Sequence, residues 1–148
     1  MKMPYAEKVN FWKTSKSSPD KWIEKAIKQI ENLGGKVLAE HFGNDISSGR
    51  SAFLLGFTIG NDTFKFIWPV LKTKSGTDER AARVQAATTL YHVVKAKCLA
   101  AVIIGARAAF FESLLLPDKR TMLELSTPDI MKNVPKQLVM MGKLNENI

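Results

Sequence analysis

One cysteine and two histidines in a chain of 148 residues exclude a good deal of chemistry at the outset. Cys98 has no second cysteine to pair with, so no intramolecular disulfide holds the fold. His41, His92 and Cys98 are too scattered for a metal centre, and His92 and Cys98, six apart on a helix, would sit on different faces. The opening residues lack the basic stretch and apolar run of a secretory signal, and the charge-free stretch of the apolar region, 98–106, falls well short of the roughly 20 residues that cross a bilayer. These lacks predict a reducing, cytoplasmic setting and no membrane partner. There is no phosphate-cradling glycine loop either, since Gly34-Gly35 reads as a helix stop. The acids best placed for a Mg²⁺ centre, Glu40, Asp45, Asp62 and Asp118, stand in or beside turns, where carboxylates have ordinary turn roles. Cys98 stands in an apolar segment, which suits packing rather than attack. The reading is a protein that binds rather than catalyses, with no cofactor and no metal.

Acidic residues are also in short supply: 14 against 22 basic ones, for a net charge of +8. An excess of this size concentrates polyanions around a protein and makes nucleic acid the leading partner class. The excess is local. Between Lys65 and Arg107 eight basic residues face only Asp78 and Glu79. With 45% hydrophobic and 24% charged residues, the chain has enough apolar content to fold as one domain rather than remain disordered.

Residues 1–17 show no clean period and read as an N-terminal arm that orders on docking. Ser18 then offers a cap, Pro19 a preset φ and Asp20 a charge suited to a helix N-terminus. Trp22, Ile23, Ala26, Ile27, Ile30 and Leu33 form one apolar stripe, which ends at Gly34-Gly35. A strand is expected over 36–42 and a loop through Gly43-Asn44-Asp45 and on to Gly49. Residues 51–59 and 63–68 both alternate around a Gly60-Asn61-Asp62 turn, and Pro69 closes the second run, which predicts a hairpin. A basic loop, 72–76, leads to Thr77 as a helix cap. From there to about Leu115 there is no proline and a single glycine, Gly105, so the pattern predicts one long element, bent at most at that glycine and about 55 Å long if continuous.

Between Cys98 and Phe111 the apolar residues point nearly all round the helix, and such a helix must be covered on all sides. A second copy of the chain is expected to supply part of that cover, making a homo-oligomer. Leu116-Pro117-Asp118 breaks the helix, 122–125 adds an apolar anchor, and residues 126–148 read as a C-terminal tail. The central domain is thus 18–125.

Phe64, Phe66 and Trp68 would share one face of a strand with Lys65 on the other, and Lys72 and Lys74 follow. Aromatics in that setting can stack on bases while lysines track a phosphate backbone, although the same aromatics with Phe53 and Phe57 suit a core face against the helices. The lysines are the better functional candidates. The candidate nucleic-acid-binding residues are Lys65, Lys72, Lys74, Arg80, Arg83, Lys95 and Lys97; Arg107 projects to the opposite side of the helix and is set aside.

The order of elements is helix, three-stranded antiparallel sheet, long helix, with a short C-terminal extension: an α+β class with both helices on one sheet face and the other face free. The same order occurs in the double-stranded RNA-binding domain and in the core of single-strand annealing recombinases, an analogy at the level of fold alone. Three stretches carry a closer resemblance: Thr14-Ser15-Lys16-Ser17-Ser18-Pro19 with its helix ending in Leu33-Gly34-Gly35; Phe64-Lys65-Phe66-Ile67-Trp68-Pro69; and Val94-Lys95-Ala96-Lys97 running to Leu116-Pro117-Asp118-Lys119-Arg120-Thr121. Over roughly Tyr5 to Glu124 the chain resembles a family of small proteins encoded by bacteriophages and mobile elements. That family's pattern carries Gly where this chain has Lys119. The resemblance implies a phage setting, hence the cytoplasm of a bacterial host cell, and no mechanism. Joined to the charge, it leads to the expectation of a nucleic-acid-binding accessory protein, DNA before RNA, acting on single strands or in annealing during replication or recombination. The alternative is a small protein-binding module, a host-targeting or anti-defence inhibitor without nucleic-acid affinity.

Overall fold

The computed structural model describes residues 2–45, 49–126 and 138–140. Helix α1 spans Pro19–Asn32 and starts as its sequence dictates, with the Ser18 side chain accepting from the Lys21 amide. It stops where Gly34 takes φ 89°, and the Gly35 amide reaches back to the Ile30 carbonyl at 2.9 Å. Gly35 is required by space: a Cβ there would lie 2.7 Å from Ile30 Cγ2.

Three antiparallel strands follow, β1 (Lys36–Asp45), β2 (Ser51–Ile59) and β3 (Asp62–Pro69). The hairpin between β2 and β3 pairs Phe53 with Trp68, Leu55 with Phe66 and Phe57 with Phe64, so alternation puts every one of these side chains on the helix-facing side. Strand β1 runs three residues further than expected, through Gly43, Asn44 and Asp45. These residues gain partners on both sides: Ala52 and Ser51 of β2 pair with Gly43 and Asn44, and a fourth strand, β4 (Leu138–Met140), pairs with all three. The sheet order is β3-β2-β1-β4. The expected tail thus includes a sheet strand; the rest of 126–148, apart from the helix end at Ser126, lies outside the described residues.

Helix α2 is Glu79–Ile104, and it corrects two expectations. Thr77 does not cap it: its hydroxyl is bound to Ser75, and Asp78 in a left-handed conformation (φ 62°) precedes the first turn. Nor does the helix run on towards Leu115. Gly105 takes φ 92° and ψ 152°, a backbone region that is essentially closed to other residues. The chain then makes a short helix, α3 (Ala106–Ala109), that returns Phe110 to the core. A last helix, α4 (Met122–Ser126), is opened by Thr121 and Glu124, each side chain bonding the other's backbone amide.

Both helices lie on one face of the sheet. Ile23, Ala26 and Ile30 of α1 and Ala86, Ala87, Leu90, Val94 and Cys98 of α2 meet the sheet aromatics in a single core. Phe57, Phe64 and Phe110 are fully buried with ring centroids 5.2–5.7 Å apart. The opposite sheet face is not free at its centre: Leu54 is 2% exposed and packs with Ala39, Leu38 and Ile67. By length and composition α2 could also cross a bilayer, which the run 98–106 alone did not suggest, but its Ala86, Ala87, Leu90 and Val94 are packed in this core.

The N-terminal residues are docked on the domain. Ala6 is fully buried, its amide donates to the Lys72 carbonyl at 2.9 Å, and buried Gln85 of α2 donates to the carbonyls of Ala6, Val9 and Asn10. A side chain reaching into the backbone of a distant segment leaves no periodic mark, which is why 1–17 read as a loose arm.

Candidate nucleic-acid interface

The docked N-terminal segment stiffens the basic loop after β3. The Glu7 carboxylate accepts from the Lys74 amide at 2.9 and 3.0 Å, and this backbone hydrogen bond holds Glu7 below the usual carboxylate range. Thr73 donates its hydroxyl to the Thr77 carbonyl at 2.6 Å. At the loop's other end the Val70 amide donates to the Ser51 carbonyl at 2.8 Å, extending the β2–β3 pairing past Pro69.

This anchored loop, the start of β2 and the first turns of α2 enclose an open cleft of about 560 Å³. Arg50 lines it from the segment before β2, Lys72 from the loop after β3 and Arg83 from α2, and Phe42 and Asn44 of β1 line it too. Arg83 is half-buried, with its guanidinium 4.6 Å from the Phe42 ring centre. Ser51 and Asn44 are tied to each other at 2.6 Å. Glu79 is the carboxylate among the lining residues. The neighbouring Asp78 is engaged by Lys13 at 3.2 Å. Arg50 also donates to the Met3 sulfur at 3.1 Å, and among the described lining residues three cations and one carboxylate share the recess, a balance suited to an anion larger than a single ion.

The seven residues singled out from sequence do not form one patch. Lys72 and Arg83 line the cleft; Lys74 stands in the same loop and Arg80 in the first turn of α2, both exposed. Lys65 is on β3, paired with Gly56, on the face away from the helices. Lys95 and Lys97 lie 12 and 14 residues beyond Arg83 on α2, roughly 18–21 Å along its axis. Lys95 rests 6.0 Å from its own Tyr91 ring, and Lys97 bonds the Ala109 carbonyl at 3.4 Å. Among the described residues Lys65, Lys72, Lys74 and Arg80 make no ion pair. Arg107 is spoken for: it grips Asp62 through two hydrogen bonds of 2.6 and 3.0 Å, and that contact holds the Asp62 carboxyl below its usual range.

Sequence reasoning missed Arg50 and Phe42. The signal available was register: once Ser51 opens β2 and Pro69 ends β3, Arg50 must fall beside the segment that carries Lys72.

The sheet aromatics are core, not a stacking platform. Phe53, Phe57, Phe64 and Phe66 are buried under the helices, and Trp68 donates its indole N–H to Thr89 at 2.9 Å. His92 stacks on Phe11 at 4.7 Å, and burial pushes the Cys98 thiol up to about 11, so it is not a thiolate at neutral pH. Among the described residues no three His, Cys, Asp or Glu side chains gather to hold a metal. No family model, curated protein or solved structure matches this chain.

Proposed function

We propose that the protein binds nucleic acid, gripping the phosphate backbone of single-stranded DNA in the cleft lined by Arg50, Lys72 and Arg83, as an accessory of replication or recombination in a phage or mobile element. That Arg50, Lys72 and Arg83 line one cleft from separate parts of the chain is the observation that carries the reading. A rigid recess holds phosphates at fixed spacing with less lost side-chain freedom than lysines on an open face. Single strands are favoured over duplex because the remaining basic residues are dispersed: Lys65 on the back of the sheet and Lys95 and Lys97 far along α2 give no continuous face for two strands. The recess has the volume of a small-molecule pocket rather than the reach of a duplex groove. With no base-reading motif in view, binding would be tolerant of sequence.

Fluorescence anisotropy of a labelled single strand and of its duplex at low salt tests this. Tighter binding of the single strand, lost in Lys72→Ala/Arg83→Ala and kept in Lys65→Ala, supports the reading. Absence of binding to either form at low salt overturns it.

A further inference from the structure

We infer that two copies of this chain associate through the C-terminal end of α2, the apolar tip of each entering a groove on the other. Leu99, Val102, Ile103 and Ile104 are 65%, 73%, 76% and 60% exposed. Their directions span about 200° around the helix, so they form a projecting knob rather than a flat stripe. The helix stops at Gly105, so nothing of α2 continues to cover them.

Directly beside the knob, between the end of α1 and the last turns of α2, runs an open groove of about 460 Å³. Its apolar walls include Leu33, Ala96, Cys98, Leu99 and Val102. Leu99 and Val102 therefore belong to both knob and groove. A convex and a concave apolar surface that adjoin and share residues are what a two-fold interface uses, because one rotation seats each knob in the other copy's groove.

Size and charge agree with a second copy. The four exposed aliphatic side chains amount to on the order of 500 Å² per chain, the scale of the largest apolar patch a monomer usually carries, and the groove walls bring the total towards the roughly 800 Å² per partner of a standard interface. No charged residue lies between Cys98 and Arg107, and among the described residues the ionisable side chains lining the groove besides Cys98 are His92 and Lys95, both exposed. Two molecules of net charge +8 can thus meet here with their like charges left in solvent. A lipid surface would accept the knob but leave the groove, with Gln29 and Asn32 on its wall, without an occupant.

Sedimentation velocity over a range of concentrations tests the inference. The wild-type chain is expected to sediment as a reversible dimer and Ile103→Glu, at a position exposed in the folded chain, as a monomer with unchanged circular dichroism. Ala96→Glu, which fills the groove from an exposed position, is expected to do the same. Adding Ala96→Lys to Ile103→Glu is expected to restore the dimer, since the new charges meet only if knob enters groove. A wild-type chain that is monomeric throughout overturns the inference, as does a dimer that survives both single substitutions. Monomers that bind anionic vesicles through Ile103 also overturn it, in favour of a membrane surface.

Discussion

The guanidinium of Arg83 lies over the ring of Phe42, 4.6 Å from its centre, and so joins the second turn of α2 to strand β1 at the wall of the cleft. A cation–π contact holds the guanidinium at the cleft wall without consuming its N–H donors, which stay available to a phosphate. Lysine keeps the charge but loses the forked pair of donors. Arg83→Lys is therefore expected to weaken binding of a single-stranded oligonucleotide by about 5–10-fold and Arg83→Ala by about 10–30-fold. Both should change unfolding free energy by no more than about 1 kcal/mol. Anisotropy and urea titrations on the same samples check the two halves.

Gln85 is 2% exposed and gives its amide hydrogens to three carbonyls of the N-terminal segment. Gln85→Ala strands those carbonyls and opens a void, at a cost of about 2–3 kcal/mol in urea unfolding. Cleavage by a protease should appear first between Ala6 and Lys16. Because Glu7 of that segment holds the Lys74 amide, oligonucleotide affinity should fall as well, although Gln85 itself is not among the cleft's lining residues.

Much of this fold was legible because it is local. Ser18, Pro19 and Gly34-Gly35 bound α1 by chemistry within four residues of each end, and the alternation of 51–59 and 63–68 about Gly60 set the hairpin and its register. The parts that were missed depend on distant partners. Gly43 to Asp45 extend because β2 and β4 flank them, and the cleft brings Arg50, Lys72 and Arg83 together from distant parts of the chain. Summed charge identified Lys72 and Arg83, but it could not separate them from Lys95 and Lys97, since linear density carries no direction in space.

Asp62 opens β3 and holds Arg107 of α3 in a two-point contact, closing the hairpin turn onto the returning chain. Its carboxyl titrates below the unfolded value of 3.8, first because of the Arg107 hydrogen bonds. A depressed carboxylate adds stability that is present above the unfolded value and is lost as pH falls through the folded one. Asp62→Asn should thus lower stability by roughly 0.5–1 kcal/mol at pH 7, since exposed Arg107 is screened by solvent, and the difference should vanish in acid. Thermal unfolding of both proteins across pH 2–7 reads the convergence directly.

Lys119 sits at φ 71° in the turn from Leu116 to Arg120, which is closed by the Lys119 amide on the Leu116 carbonyl at 2.9 Å and the Leu116 amide on the Arg120 carbonyl at 2.8 Å. A left-handed conformation costs a side-chain-bearing residue about 1–2 kcal/mol, which glycine avoids while losing some chain entropy. Lys119→Gly is expected to stabilise the protein by about 0.5–1 kcal/mol, a gain visible as a higher melting temperature.

Phosphate binding by a defined set of cations is most directly tested by the slope of log affinity against log salt for a single-stranded oligonucleotide. Each phosphate neutralised adds about 0.7 to its magnitude, so Lys72→Ala/Arg83→Ala is expected to flatten it by about 1.4. Lys95→Ala/Lys97→Ala should leave it unchanged. A wild-type slope retained without Lys72 and Arg83, or lost without Lys95 and Lys97, would contradict the cleft as the site of binding.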